Sequence, residues 1–149
     1  MHETVLGGKR CTEPGELEAA ANAGRRVLLR CYRAVQAYRR RALTQRDLAA
    51  LHKMRLALKR LRYTSEVLQA AVPGMGVGRL KLFGKYQTYM GDIHDLDVLA
   101  QNIQKFYGPT VPPPVRRVLD RLARRRGRIF ERLRKSFGKM EKDAFWEIR

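Results

Sequence analysis

Cysteine, histidine and acidic residues are scarce in this chain of 149 residues. The two cysteines, Cys11 and Cys31, have neither CxxC spacing nor a neighbouring histidine. This pattern argues against a disulfide scaffold and a zinc site, and it favours a reducing cytosol. Because the chain has only three histidines, a catalytic metal centre would lack ligands. We therefore expect neither a metal nor a cofactor.

Long apolar runs and strand-like alternation are also absent. The first ten residues contain no apolar core of signal-peptide length. No run approaches the roughly 18 apolar residues of a membrane-spanning helix. We therefore expect a cytoplasmic protein without a membrane span. No segment alternates between apolar and polar residues with the two-residue period of a strand, which favours an all-α fold.

Positive charge is what the chain has in excess. Lysine and arginine number 32 against 14 aspartates and glutamates, which gives a formal net charge of +18. A compact domain with this charge repels itself, so we expect an anionic partner. Arginine supplies 23 of the basic residues, and a guanidinium holds phosphate oxygens through two parallel hydrogen bonds. The composition therefore favours a partner that carries phosphate groups.

Glycine and proline divide the chain into four stretches with helical periodicity. After a loose start of about 15 residues, helices are predicted at about 16–43, 46–71, 79–106 and 115–138. Thr44 and Asp47 resemble a capping box that restarts the chain after the first helix. Helices of this length are on the order of 35–40 Å long. The pattern predicts one domain over residues 1–149, an up-and-down four-helix bundle of long antiparallel helices.

The basic residues are unevenly distributed. Between residues 19 and 91 there are sixteen basic residues and only two acidic ones, whereas a solvated helix face normally mixes both signs. In the second predicted helix, four basic side chains recur at spacings of three, four and three, which places them on one face. These residues, here called the cationic stripe, are His52, Arg55, Lys59 and Arg62.

The cationic stripe lies roughly a quarter-turn from the apolar seam of its helix. We expect it to run along the shoulder of the bundle, where low-dielectric packing concentrates the potential and one long anion could lie. Two other interpretations stay open. Basic helix faces are often simply solvated, and the stripe could pair with Asp92, Asp95 and Asp97, although these are too few to neutralise it.

Arg126 stands apart from the other basic residues of the fourth predicted helix. Most of the ten basic residues between Arg116 and Lys135 face outward, whereas Arg126 falls in the middle of the apolar face. A buried unpaired guanidinium is very costly. Arg126 is therefore expected to meet either an anionic ligand or an aspartate.

Two motifs resemble those of the conserved histidine α-helical domain, or CHAD, family. The first covers residues 51–55 (LHKMR) and 59–63 (KRLRY). The second covers residues 82–87 (LFGKYQ), 90–92 (MGD) and 94–99 (HDLDVL), with Met90 where leucine is commoner in the family. The two motifs occur in the same order, and are separated by the same distance along the chain, as in the family. The helical pattern extends the likeness over most of the chain.

The resemblance implies a helical domain that binds inorganic polyphosphate and is associated with polyphosphate granules or with triphosphate-processing enzymes. On this interpretation the cationic stripe belongs to the anion-binding surface, with Lys81 and Lys85 contributing from the facing helix. Gly84 and Gly91 would allow a close helix approach. Family members typically carry two four-helix halves and this chain has room for one, so we expect a homodimer that rebuilds the double bundle around a shared groove.

Nucleic acid is the alternative ligand, expected to be the weaker one. Phosphate contacts carry no base information, so the same basic surface would serve. A single-strand binder, however, displays aromatic platforms for bases. Four aromatics lie on or near apolar faces and are predicted to be core: Tyr38, Phe83, Phe130 and Phe137. Tyr63 and Trp146 remain unassigned.

Catalysis is not expected. The pair formed by His94 and Asp95 is similar to that of metal phosphohydrolases, but further ligands are missing. The chain has no Walker loop and no evident pair of nucleophile and base. Binding would instead be driven by release of counterions from the polyanion and would weaken steeply with salt. Since an imidazole titrates near neutral pH, His52 is expected to strengthen binding at lower pH.

Overall fold

The computed structural model describes residues 14–44 and 46–140, with side chains up to residue 138. It contains four long helices: α1 (Pro14–Arg39), α2 (Leu48–Leu68), α3 (Val77–Tyr107) and α4 (Pro113–Met140). A π-helical turn, Arg40–Thr44, continues α1. The described residues contain no strand, which confirms the predicted all-α class. His2, Cys11 and Trp146 lie outside the described residues, and Cys31 is a free thiol.

Local chemistry explains where the helices begin and end. Pro14 and Pro113 each occupy the first position of a helix, where a missing N–H costs nothing and the restricted φ is already helical. α2 begins after Asp47, whose carboxylate accepts a hydrogen bond from the Ala50 backbone N–H at 3.0 Å. α3 ends at Gly108, whose positive φ of 62° reverses the chain.

The core joins the apolar faces of all four helices. Leu28 of α1, Leu58 of α2 and Tyr86 of α3 are fully buried. Phe137 of α4 packs against Tyr86 with 4.9 Å between the ring centroids, and the Tyr86 hydroxyl donates to the Ser136 carbonyl at 2.8 Å. A buried phenol therefore keeps a hydrogen-bond partner while its ring fills the α3–α4 interface.

Each helix packs mainly on its neighbour in sequence: α1 on α2, α2 on α3, and α3 on α4. α3 is ten residues longer than α2, with 31 residues against 21. Its last part and the first turns of α4 therefore form a hairpin that projects beyond α2. Large apolar side chains on this hairpin remain exposed: Val98, Leu99, Phe106, Tyr107 and Val118.

Gly24 of α1 is the glycine that permits a close helix approach. A Cβ at this position would lie 2.7 Å from Cγ2 of Val72 and 3.7 Å from Cδ1 of Leu68. The segment after α2, which contains Val72, can therefore pack closely on α1 because residue 24 has no side chain. None of the described helices combines the length and apolarity of a membrane span.

Candidate functional site

The cationic stripe lies on α2 at the edge of its interface with α3. The apolar seam of α2 is buried at spacings of three and four residues, at Leu51, Met54, Leu58 and Leu61. This leaves the stripe beside the core. His52 and Lys59 are exposed, whereas Arg55 and Arg62 are half-buried. The stripe is therefore a shoulder of the fold, with two of its cations partly removed from water.

At one end of the stripe, His52 meets His94 of α3. The two ring centroids are 5.8 Å apart, with 41° between the ring planes. Both rings border a cavity of about 30 Å³, together with Arg55, Asp97 and several apolar side chains. A cavity of this size holds one water molecule or one oxygen atom of a ligand.

Arg55, which lines this cavity, carries an unused hydrogen-bond donor. Its Nε is buried and has no hydrogen-bond partner within the described part of the chain. A buried donor without an acceptor destabilises a protein by about 1–3 kcal/mol. An oxygen acceptor beside Arg55 would remove that cost, and an anionic oxygen would also gain from the guanidinium charge.

Arg62, at the other end of the stripe, is held between α2 and α3. Its Nε donates to Oε1 of Glu66 at 2.9 Å, and its Nη1 donates to Oε1 of Gln87 at 3.1 Å. These two bonds fix the direction of the guanidinium. They leave Arg62 with further N–H donors, since a guanidinium has five.

Lys59 is exposed within the stripe, and Tyr63 lies beside it and next to Arg62. The Lys59 ammonium and the Arg62 guanidinium lie 5.8 and 5.9 Å from the centroid of the Tyr63 ring. Tyr63 itself is 47% exposed. The ring therefore lies beside two cations with much of its surface free, a placement that the sequence left unassigned.

Lys81 and Lys85 are exposed on α3, but no described contact joins them to the cationic stripe. Lys85 lies about 160° around the helix axis from Gln87, the residue that contacts Arg62. Its ammonium is instead 5.8 Å from the centroid of the Tyr89 ring. The structure thus places Lys85 on the outer surface of α3, away from the α2–α3 edge.

Gly84 and Gly91 leave the α3 side of the stripe uncovered. A Cβ at Gly84 would meet only Nη1 of Arg62, at 4.0 Å, and a Cβ at Gly91 would meet no atom within 4 Å. The predicted close helix approach at these glycines is therefore wrong for the described residues. Their effect is to keep side chains away from the guanidinium of Arg62 and from the adjoining edge.

Arg126 pairs with Asp97. Its Nε donates to Oδ1 and its Nη2 donates to Oδ2 at 3.1 Å, in a two-pronged contact between α4 and α3. Both side chains are about three-quarters buried. Of the two alternatives for Arg126, the structure contains the aspartate pair. Because Asp97 also borders the cavity beside His52, Arg126 touches the site through this carboxylate.

Sequence reasoning missed the contributions of His94 and Gln87. The sequence shows His94 only as half of a His–Asp pair, and it indicates no contact for Gln87. Both roles depend on the register between two antiparallel helices, which the periodicity of one helix does not determine. The remaining acids of α3, Asp92 and Asp95, are exposed.

The described residues offer no group of three or more His, Cys, Asp or Glu side chains placed to hold a metal ion. The chemistry of the site is that of hydrogen-bond donors and positive charge. It can hold an anion against Arg55, His52 and Arg62, with Lys59 adding charge at the surface.

Comparison with curated proteins and with solved structures finds no match to this chain. A scan against family models matches the CHAD domain over residues 3–104. The matched segment includes both histidines of the site and the whole cationic stripe, and it covers about two-thirds of the chain. The chain therefore belongs to the CHAD domain family.

Proposed function

We propose that the protein binds inorganic polyphosphate along the cationic stripe. CHAD domains are associated with polyphosphate binding and with triphosphatase contexts. The observation that carries the proposal is the buried, unpartnered Nε of Arg55, a residue that lines an oxygen-sized cavity together with His52 and His94. A phosphate oxygen in this cavity would satisfy the donor.

The proposed mechanism is electrostatic and involves no catalysis. One phosphate is anchored at Arg55 and His52, and the following phosphates run along α2 toward Lys59 and Arg62. From His52 to Arg62 the helix rises about 15 Å. Release of counterions from the polyanion supplies much of the binding free energy, so the affinity decreases as salt is raised.

A second copy of the chain is proposed to complete the binding groove. The exposed apolar side chains of the α3–α4 hairpin support this proposal, because a large exposed apolar patch usually marks an interaction surface. Phe106, at 82% exposure, is the most exposed of them. A cytoplasmic homodimer that associates with polyphosphate granules would match the two four-helix halves that the family resemblance implies.

Single-stranded nucleic acid is the second candidate ligand, and one observation favours it. Tyr63 is a half-exposed ring beside two cations, and such a ring can stack on a base. A groove that binds single-stranded nucleic acid usually offers several aromatic rings for stacking, and among the described residues the stripe has only Tyr63 beside it. This candidate therefore stands second. Direct competition decides between the two.

The test is a competition titration at near-physiological salt. Labelled long-chain polyphosphate is bound to the protein and challenged with RNA and single-stranded DNA of matched charge. The stripe variant carries His52→Ala, Arg55→Ala and Lys59→Ala. The matched control carries Arg26→Ala, Arg30→Ala and Arg33→Ala, three exposed residues of α1 that remove at least as much charge elsewhere.

The proposal predicts that labelled polyphosphate stays bound when nucleic acid of equal charge is added. It also predicts that the stripe variant loses at least about tenfold more affinity for polyphosphate than the control, equivalent to about 1.4 kcal/mol. Circular dichroism should show both variants to be helical. If both variants weaken equally, binding follows net charge and the stripe is a solvated face. If nucleic acid competes at equal charge, the second candidate replaces the first.

A further inference from the structure

A second group of arginines lies where α1, the π-helical turn and α4 meet. We call it the arginine corner, and it consists of Arg39, Arg40, Arg46 and Arg134. These residues line a cavity of about 580 Å³ together with Gln36, Leu43, Thr44 and Glu131. The cavity shares no lining residue with the one beside His52. It is therefore a separate site on the molecule.

The local structure explains how the arginines converge. Gln36, Arg39, Arg40, Leu43 and Thr44 follow one another at spacings of three, one, three and one, which places them on one face of α1 and the turn. π-Helical turns are rare and are often found at functional sites. The turn continues this face beyond α1, so two arginines and a threonine hydroxyl point to one side.

Arg46 reaches the cavity because its backbone is left-handed, with φ of 55°. An arginine rarely adopts this conformation, which glycine or asparagine would adopt more readily. From this turn its guanidinium lies 5.5 Å from the centroid of the Phe130 ring and its Nη2 donates to Glu131 at 3.2 Å. Arg46 thus links the turn to α4.

Glu131 positions the guanidinium groups of Arg46 and Arg134. Its Oε2 accepts hydrogen bonds from Nε and Nη2 of Arg134 at 3.0 and 2.9 Å. The hydrogen bond from Arg134 lowers the pKa of the Glu131 carboxyl, with further lowering by the charges of Arg134, Arg46 and Lys135. Glu131 therefore stays charged, and four arginines with one carboxylate leave a net charge of about +3.

The size and charge of the cavity indicate what it can hold. The size of the cavity falls within the range of about 300–1,000 Å³ that is usual for small-ligand pockets. Its size and its four arginines favour a compact ligand with several anionic oxygens, rather than a single small anion.

We propose that the arginine corner binds a compact oligophosphate group of two or three phosphates. The group could be free inorganic triphosphate or the triphosphate of a nucleotide, which have the same chemistry. Arg39, Arg40, Arg46 and Arg134 contact the phosphate oxygens, and Glu131 holds two of the guanidinium groups in place. This site is independent of polyphosphate binding on the cationic stripe.

The experiment is calorimetric titration of the full chain with inorganic tripolyphosphate, pyrophosphate, orthophosphate and ATP. The corner variant carries Arg40→Gln and Arg134→Gln. The matched control carries Arg26→Gln and Arg33→Gln, which remove the same charge from the exposed face of α1. A third protein carries Arg40→Lys and Arg134→Lys, which keep the charge but lose the paired N–H donors.

The corner variant is expected to bind tripolyphosphate at least about tenfold more weakly than the wild type, since two charge-assisted contacts are lost. The lysine variant should lie between the two, and the control should stay within about threefold because distant exposed charges are screened. Equal weakening of the corner variant and the control would overturn the proposal. So would orthophosphate binding as tightly as tripolyphosphate.

Two further arms separate this site from the proposed polyphosphate function. The stripe variant (His52→Ala, Arg55→Ala, Lys59→Ala) should bind tripolyphosphate like the wild type, even if it has lost long-chain polyphosphate. If the stripe variant loses tripolyphosphate and the corner variant does not, the ligand binds at the stripe and the proposal fails. ATP should bind like tripolyphosphate; much tighter ATP binding would mean that the site recognises the nucleoside, contrary to the proposal.

Discussion

Arg55 combines a charge at the protein surface with a buried Nε that has no acceptor. Substitution of Arg55 by methionine would keep the apolar stem and remove this unsatisfied donor. We expect the Arg55→Met protein to unfold at higher temperature, with about 1 kcal/mol of added stability, and to bind polyphosphate at least about fivefold more weakly. Thermal unfolding and titration check the two parts.

The control for this prediction is Arg60→Met, on the same helix and exposed. It removes an equal charge without removing a buried donor, so the gain in stability should be absent. Loss of stability in Arg55→Met would show that the guanidinium is already satisfied in the free protein, in contradiction to the role given to the cavity.

The two histidines predict a pH dependence of binding. His52 and His94 lie 5.8 Å apart, with Arg55 and the Asp97–Arg126 pair beside them. Protonation adds positive charge where a phosphate would bind, and a bound anion favours the protonated form. Polyphosphate affinity should therefore rise as the pH falls from about 8 to about 5.5.

A His52→Gln variant should show a flatter pH profile, since one imidazole at the anchor is gone. The comparison requires equal ionic strength at every pH, because salt alone changes the affinity. A wild-type profile that is already flat over this range would remove the histidines from the binding mechanism while leaving the contribution of the arginine and lysine side chains intact.

Asp47 shows how one side chain at a helix start contributes to stability. The backbone N–H of Ala50, followed by the Arg41 side chain, holds the pKa of the Asp47 carboxyl below its usual range. The folded-state pKa is thus lower than that of the unfolded chain. The carboxylate therefore stabilises the fold above about pH 4, and this contribution is lost as the pH falls through the lowered pKa.

We expect Asp47→Ala to lower the midpoint of thermal unfolding at pH 7, and the difference from the wild type to shrink at about pH 3. Asp47→Asn should have a smaller effect at pH 7 because asparagine also caps helices well. Asp95→Ala, an exposed change on α3, serves as the control. A difference that stays constant with pH would mean that the ionised carboxylate is not the stabilising species.

At the scale of a helix, two glycines predict opposite effects of the same substitution. Gly24→Ala places a methyl group 2.7 Å from Cγ2 of buried Val72, so we expect destabilisation by about 1–3 kcal/mol. Gly127→Ala in α4 meets no atom within 4 Å, so the higher helix propensity of alanine should stabilise the protein by about 0.5–1 kcal/mol. Chemical denaturation measures both.

Each glycine variant is the control for the other, since both changes add one methyl group to a helix. If both substitutions stabilise the protein, α1 does not approach Val72 closely. If both destabilise it, the surroundings of α4 are more crowded than the structure describes.

The helical elements were largely predictable because glycine and proline end helices for local reasons. The starts were less so: α1, α3 and α4 each begin two residues earlier than predicted, at Pro14, Val77 and Pro113. At α1 and α4 the residue that marks a break in the sequence pattern is itself the first residue of the helix, because proline is favoured in the first turn. The π-helical turn Arg40–Thr44 was missed because no distinct periodicity announces a five-residue deviation.

The candidate site was predictable only where one helix contains it. Spacing along α2 identified the cationic stripe, but the placement of Arg62 between Glu66 and Gln87 required the packing of α2 on α3. The arginine corner joins Arg39 to Arg134, 95 positions apart in the chain. Contacts at such separation follow from tertiary packing, which sequence periodicity does not contain.

At the scale of the whole molecule, the proposed homodimer depends on the exposed α3–α4 hairpin. Phe106 is 82% exposed there, and Val67 on α2 is similarly exposed, at 80%. A charge at the centre of an apolar interface is costly. We therefore expect Phe106→Glu to convert the dimer to a monomer, whereas Val67→Glu should leave the mass unchanged. Light scattering measures the mass.

The same samples, measured with and without polyphosphate, separate a constitutive dimer from one that the ligand assembles. In the first case the wild type is dimeric alone. In the second, its mass doubles only with polyphosphate, and Phe106→Glu blocks the increase. A wild-type protein that is monomeric both with and without polyphosphate would contradict the proposed homodimer. The cationic stripe of a single copy, about 15 Å from His52 to Arg62, would then have to account for all of the affinity.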